Sequence, residues 1–351
     1  SMEGYAFGGD GGLAFDEVGG SGGNGGGVGG SISATTNDGL ARAYGYFQAG
    51  SGGDVIGGAG NSGNGASVEV LNQVSAHSTS VSGSTFAEQY AAGGSSGDVG
   101  YQDDLGSGNI GAAGSATSTL SADNDNSDST LWSYAYAGEG GNRNDTSGVA
   151  GKGADATASA MISNTGDASS LASAGGGYGG EGQSGATGGQ GASGTANATS
   201  ISSKADSYAD AYAYGGDGGQ TVDGGGAGGS ALEASANATS SATAAQVGQY
   251  AEAYSESVGG FGLGLENRYL SSRSGIAVAE STATTNQGDA FATSTAEGRQ
   301  AIARATGDGI TGTVTATAET VRGTLGIDND DPVQIQSQIT SDVRGLTTVE
   351  T

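Results

Sequence analysis

The stretch ADSYADAYAYGGDGGQTVDGGGAGGS, residues 205–230, holds the two patterns from which the whole chain is built. Its first half alternates, so that Ala209 and Ala211 share one face of an extended strand while Tyr208 and Tyr212 share the other. Period-two alternation predicts a β-strand. Because the first face carries only small groups, a second sheet can approach it closely and its methyl groups can interdigitate.

The second half of the stretch replaces alternation by paired glycines. Two glycine-rich arms, residues 215–219 and 224–229, flank a turn-like insert at residues 220–223. Glycine at two of three positions permits left-handed, polyproline-II-like strands whose backbones nearly touch. The same composition is also typical of flexible surface loops. The sequence leaves ordered arms and flexible loops equally open.

The alternating segments repeat along the chain with a period of about 40 residues, which is the range of solenoids and repeat arrays. We count roughly eight degenerate units, more than the three or so that a stack needs. The clearest copies start at residues 155, 195, 232, 276 and 312. We therefore predict an all-β fold, an elongated β-solenoid or stacked-hairpin array in which glycine-rich, polyglycine-II-like segments separate the strand pairs.

The repeats also divide the chain. Residues 1–3 are interpreted as the remainder of a cleaved tag and the N-terminal edge, and residues 4–325 as the repeat domain. Composition changes near Asn267, where the glycines become rare and most of the arginines appear. Residues 326–351 contain the single proline, Pro332, and are expected to form a C-terminal cap, a linker or an exchanged strand.

Composition excludes several classes of function. The 351 residues include 37 acidic and 10 basic residues, giving a formal net charge of −27, and no cysteine. Nucleic acid is therefore not an expected partner, since no basic patch can displace counterions from phosphates. Disulfides and cysteine-ligated zinc are excluded. No apolar run approaches the ~20 residues of a membrane-spanning helix, so no membrane span is expected.

Catalysis is not expected either. General acid–base chemistry needs a carboxylate whose pKa is shifted in a pocket. Here the acidic residues lie mostly among glycines and serines, with few bulky groups to desolvate them. We therefore predict that the protein is not an enzyme.

Two aspartate clusters are candidate calcium sites, because Ca²⁺ prefers hard oxygen ligands. Neither cluster matches an EF-hand loop, and aspartates are also ordinary turn formers. We expect no cofactor other than calcium. The candidate ligands are Asp123, Asp125, Asp128, Asp328, Asp330 and Asp331.

Two further side-chain patterns suggest surfaces. Tyrosines recur just before the glycine-rich segments and would stack into a ladder in a solenoid, either as structural packing or as a stripe that binds carbohydrate or another surface. The ladder residues are Tyr134, Tyr136, Tyr212, Tyr214 and Tyr254. Separately, Thr313, Thr315 and Thr317 would share one strand face, and a flat Ala/Thr array of this kind suits an ice plane.

The AxAxA and GGxGG patterns across roughly residues 4–320 resemble the Gly/Ala/Ser/Thr-rich β-solenoid repeat regions of bacterial secreted surface proteins: adhesins, autotransporter-like exoproteins and matrix fibre proteins. The resemblance implies an extracellular or cell-surface location and a rigid rod that serves as a fibre subunit or adhesin stalk. It also implies self-association, with a cell-surface or carbohydrate ligand as a further partner. Ice binding and a calcium-dependent adhesin repeat are the alternative functions.

Overall fold

The structure is a computed structural model that describes residues 1–15, 19–80, 82–100, 105–124, 128–222, 229–243, 249–262, 272–273, 275–319, 334–341 and 346–350. These residues form strands, turns and extended arms, with no helix among them. The predicted all-β solenoid is confirmed: stacked coils of about 40 residues build about seven turns.

The strands follow one another in a regular rhythm of long and short elements. The first nine are β1 (Met2–Phe7), β2 (Ala14–Phe15), β3 (Ile32–Thr36), β4 (Leu40–Gln48), β5 (Val55–Ile56), β6 (Val68–Leu71), β7 (Val74–Ser78), β8 (Ser84–Ala92) and β9 (Ala116–Asn124). The next nine are β10 (Asp128–Tyr136), β11 (Arg143–Asn144), β12 (Ala156–Asn164), β13 (Ala168–Gly175), β14 (Gly182–Gln183), β15 (Gly194–Ser202), β16 (Ser207–Tyr214), β17 (Thr221–Val222) and β18 (Ala234–Ala242). The last nine are β19 (Tyr250–Val258), β20 (Phe261–Gly262), β21 (Ser272–Arg273), β22 (Ile276–Thr285), β23 (Asp289–Glu297), β24 (Gln300–Asp308), β25 (Thr311–Glu319), β26 (Gln334–Ser341) and β27 (Leu346–Glu350).

Two long parallel sheets run the length of the stack. Sheet 1 has ten strands in the order β1-β4-β8-β10-β13-β16-β19-β23-β25-β27, and sheet 2 has eight in the order β26-β24-β22-β18-β15-β12-β9-β6. Most coils contribute one strand to each sheet, and successive strands pair in register, as Ala211 with Ala172 and with Ser255. At the N-terminal end, β3 and β7 form a separate two-stranded sheet. Among the described pairs, only the two-residue β20 and β21 run antiparallel.

The space between the sheets is thin because alanine faces alanine. Inward positions of both sheets are mostly Ala or Ser, and residues such as Ala211 and Ala236 are buried, although the N-terminal coils also bury larger side chains such as Phe47 and Leu120. The closeness shows in single hydroxyls that cross the gap: Ser240 Oγ in sheet 2 donates to the Ser207 carbonyl of sheet 1 at 2.7 Å. A sheet-to-sheet distance of ~10 Å, usual for larger side chains, would not allow this contact.

Where the structure describes them, the glycine-rich arms are ordered, which decides between the two alternatives that the sequence left open. Residues 223–228, which include most of the arm at 224–229, lie outside the described residues. In each full coil, arm 1 follows the sheet 1 strand and arm 2 precedes the next sheet 2 strand. Backbone bonds zigzag between the arms of successive coils, as Gly180 donates to Gly151 at 2.9 Å, Gly189 to Gly180 at 2.8 Å and Gly219 to Gly189 at 2.7 Å. The arms therefore form a hydrogen-bonded bundle in place of loops.

The coils shorten where the glycines disappear. The step between equivalent residues is 39 from Asp167 to Asp206, but 24 from Glu280 to Arg304 and 22 from Asp289 to Thr311. These C-terminal coils join sheet 1 and sheet 2 strands through short turns. Strands β26 and β27 then extend sheets 2 and 1 respectively.

Candidate functional site

The outer face of sheet 1 carries a set of aromatic side chains, which we call the aromatic face. In-register pairing places their residues in rows along the stack, as Tyr46, Tyr90 and Tyr134 pair successively. The set comprises Tyr5, Phe7, Tyr44, Tyr46, Phe86, Tyr90, Trp132, Tyr134, Tyr136, Tyr208, Tyr212, Tyr214, Tyr250, Tyr254 and Phe291.

Ring contacts divide the aromatic face into two groups. In the N-terminal group Tyr90 stacks on Tyr46 with ring centroids 4.6 Å apart and on Tyr136 at 5.3 Å, and it lies 6.2 Å from Tyr134. The two groups are separated by strand β13, which has no aromatic residue, and the Tyr136 ring covers the bare backbone of Gly175 there.

The C-terminal group contains the other three ladder residues. Tyr212 and Tyr254 lie 5.6 Å apart, and Tyr208 contacts Tyr250 edge-on at 5.0 Å with a hydroxyl-to-hydroxyl bond. Tyr214 is 38% exposed at the end of β16. The five tyrosines of the predicted ladder therefore lie on one sheet face, in two clusters.

Carboxylates are interspersed among these rings. Glu88 on β8 and Asp210 on β16 point outward and are half-buried. Burial raises the pKa of the Glu88 carboxyl, and burial together with the nearby charge of Glu252 raises the pKa of Asp210 to about 6. Among the described residues neither carboxylate has an ion-pair partner.

The tyrosine hydroxyls lie in the same partly buried, acidic environment. Burial, followed by the neighbouring tyrosines, raises the pKa of Tyr90 to about 12, and burial followed by Asp210 does the same for Tyr212. Burial and the hydrogen-bonded Glu256 raise the pKa of Tyr254 further. These phenols therefore stay neutral and cannot serve as bases near neutral pH.

The sequence held a signal for this arrangement that the ladder prediction missed. Three strands share the pattern aromatic-x-acid-x-aromatic: FAEQY at residues 86–90, YADAY at 208–212 and YAEAY at 250–254. In a strand, these three positions lie on one face. Alternation places the acid on the same face as the tyrosines of its own strand, but it does not show which rings of the neighbouring strands lie beside it.

The outer face of sheet 2 is different in character, and we call it the threonine face. Its central strands β12, β15 and β18 pair in register, so that Thr157 aligns with Thr195, and Asn197 and Thr199 align with Asn237 and Thr239. None of the outward residues on these three strands is charged. The threonine array that the sequence predicted is a different one. It lies on sheet 1, where Thr315 and Thr317 pair with Thr293 and Thr295.

The arms carry a third regular feature at the non-glycine position of each triplet. There the side chain of one coil accepts the backbone N–H of the next: Asp98 Oδ1 accepts from Asn142 at 2.6 Å, and Asn142 Oδ1 accepts from Glu181 at 2.7 Å. Asn24 and Asn64 form the same contact in arm 2 at 2.9 Å. These polar side chains therefore satisfy N–H groups at the surface of the bundle.

The candidate calcium ligands are only partly described. Asp125, Asp328, Asp330 and Asp331 lie outside the described residues, so their clusters stay predictions. Asp123 lies near the end of β9, and Asp128 begins β10, where its Oδ1 accepts the N–H of Asp167 at 3.0 Å. Within the described part of the chain, no group of three acidic or histidine side chains is arranged to hold a metal.

No model of a known protein family, no curated protein sequence and no solved structure matches the chain. In the part of the chain that the structure describes, no helix is long and apolar enough to cross a membrane.

Proposed function

We propose that the protein is a non-enzymatic structural module, a rigid β-solenoid rod that acts as a fibre subunit or as the stalk of an adhesin outside the cell. The observation that carries this proposal is the continuity of hydrogen bonding along the stack. The two parallel sheets bond from coil to coil, and the glycine-arm bundle adds a third set of bonds up to the shorter C-terminal coils, so these sets of bonds resist bending and stretching.

The surface chemistry supports the same role. A net charge of −27 favours solubility and opposes nonspecific collapse, and the acidic turns suit loose bridging by cations such as calcium. The open ends of parallel sheets are the natural surfaces for end-to-end association with further copies.

Electron microscopy of the purified protein over a range of concentrations, with and without millimolar Ca²⁺, tests the proposal. Filaments or end-to-end rods with a regular axial repeat would support a self-associating subunit, and their dependence on Ca²⁺ would show whether cations join the copies. Compact, non-elongated particles under every condition would contradict the rod itself.

Ice binding is the second candidate, and the threonine face favours it. The face is uncharged over three strands, and in-register pairing repeats its positions in two dimensions, with about 4.8 Å between strands and about 6.6 Å between alternate residues. Such a lattice of hydroxyl and methyl groups can order a layer of water.

Thermal hysteresis measured on small ice crystals tests this candidate. A gap between melting and freezing points is expected for the unmodified protein and is expected to be mostly lost in Thr199→Lys, which places a charge in the face. Thr315→Lys is the matched substitution on sheet 1 and should leave the gap unchanged. Equal melting and freezing points in the unmodified protein would rule the candidate out.

A further inference from the structure

Glu88 occupies an unusual place on the aromatic face. On its own strand it is flanked by Phe86 and Tyr90, and it aligns with Tyr44 on one neighbouring strand and Trp132 on the other. Rings thus surround this half-buried carboxylate on four sides.

The surrounding rings are held in place by their own contacts. Phe86 lies 5.3 Å from Tyr44 and 4.9 Å from Trp132, which forms one row of rings beside Glu88. Tyr90 lies between Tyr46 and Tyr136 in the row on the other side. The site is therefore preorganised by packing that does not involve the carboxylate.

A similar arrangement, with rings on three sides of the carboxylate, occurs three coils further along the stack. Asp210 lies between Tyr208 and Tyr212 on its own strand and aligns with Leu171 and Tyr254 on the neighbouring strands. Its flanking rings are again paired, Tyr208 with Tyr250 and Tyr212 with Tyr254. Two independent occurrences show that the combination does not depend on a single coil.

We propose that these carboxylate-centred sets of rings bind organic ammonium groups, with Glu88 and Asp210 as the anionic centres of two sites. Ring faces attract a cation through their quadrupole, and more strongly when water is partly excluded. The carboxylate supplies the negative charge that pairs with the cation. Without a bound cation, this half-buried carboxylate would be partly desolvated with no charged partner. A methylated ammonium ion sheds its hydration more easily than a metal ion, so the combination selects this class.

The protein carries its own reporter for the first site, because Trp132 is its only tryptophan and aligns with Glu88. Trp132 fluorescence is therefore titrated with tetramethylammonium chloride, with sodium chloride at equal ionic strength as the blank. A parallel titration with n-butylammonium, which represents a lysine side chain, separates choline-like from lysine-like ligands.

We expect a saturable fluorescence change with tetramethylammonium, and in Glu88→Gln a midpoint at least tenfold higher. Glu69→Gln removes an exposed carboxylate from β6 of the other sheet and should leave the midpoint unchanged. Circular dichroism of each variant verifies the fold. A fluorescence response that sodium chloride reproduces, or an unchanged midpoint in a folded Glu88→Gln, would overturn the proposal.

A saturable response to both ammonium ions would support a site that accepts either class, whereas a response to tetramethylammonium alone would restrict it to methylated ammonium groups. A response to n-butylammonium alone would overturn the choline-like selectivity. None of these outcomes depends on filament formation, so the test is independent of the proposed structural role.

Discussion

At the scale of single residues, the glycine arms depend on the absence of a Cβ atom. A Cβ placed on Gly180 would overlap the carbonyl of Gly141, and one on Gly219 would overlap that of Gly180. The overlap is with backbone, which cannot rotate out of the way. Glycine is therefore needed inside the bundle for close approach between chains, with no unusual dihedral angle required at these two positions.

We predict that Gly180→Ala lowers the free energy of unfolding by about 1–3 kcal/mol, the usual cost of overpacking. The matched control is Gly29→Ala, where a Cβ meets nothing within 4 Å. That substitution should raise stability by about 0.4–1 kcal/mol, because it restricts the unfolded chain. Denaturant midpoints measure both, and a Gly180→Ala protein as stable as Gly29→Ala would show that the arms are not closely packed.

Asp210 gives a pH-dependent prediction at the same scale. Its folded pKa of about 6 lies above the ordinary aspartate value of 3.8, so the stability it contributes is full below pH ~4 and is lost as the pH rises through about 6. Asp210→Asn should therefore melt roughly 2 °C higher than the unmodified protein at pH 8. Melting curves at pH 8 and pH 3 check this, and a difference that is equally large at pH 3 would contradict the pKa shift as its cause.

At the scale of the elements, strands and arms obey different periods. The strands repeat every two residues and present alanine inward, whereas each arm repeats every three residues and presents its polar residue outward. The three positions of each arm triplet differ in what they bond. The N–H of Gly176 donates to the Tyr214 carbonyl in the next coil, and the N–H of Gly177 donates to the Ala154 carbonyl in the other arm. The third position carries the polar side chain. Strand pairing alone would leave the backbone N–H groups of the arms without hydrogen-bond acceptors.

The polar third position of an arm triplet should tolerate a change of charge but not the loss of its side-chain acceptor oxygen. We predict that Asp98→Ala costs about 1–3 kcal/mol, because the N–H and side-chain amide of Asn142 both lose their contact with Asp98. Asp98→Asn keeps the Oδ1 acceptor for the N–H of Asn142 and gives up only the longer 3.3 Å contact with its side-chain amide. It also avoids burying a charge, since burial raises the pKa of Asp98. Its denaturant midpoint should equal or exceed that of the unmodified protein. Equal losses in the two variants would show that the charge, and not the acceptor, matters.

At the scale of the whole molecule, stability is a sum over coils that contact only their neighbours. Deleting residues 176–214 removes one whole coil, because Gly175 and Tyr214 occupy equivalent positions in successive coils. We predict that this variant folds with both sheets continuous and a melting temperature within a few degrees of the full chain. Circular dichroism and thermal melting measure this.

A shorter deletion provides the control. Deleting residues 195–214 removes nearly all of β15 and the whole of β16 but keeps the arms between β13 and β15, so one coil would have no strand in sheet 1 or sheet 2. This variant should be much less stable than the larger deletion. If the smaller deletion were the better tolerated of the two, coil-by-coil stacking would not be the source of stability.

The sequence by itself determined the strands, the repeat of about 40 residues and the two faces of each strand, because these follow from local periodicity. Tyr212 and Asp210 could be placed on the outer face from alternation alone. The order of the glycine arms could not be predicted, since flexible loops and packed arms have the same composition and differ only in partners from other coils. Nor could the alignment of Glu88 with Tyr44 and Trp132, or of Asn197 with Asn237, because these residues lie about one coil apart in sequence and only the parallel register of stacked strands brings them together.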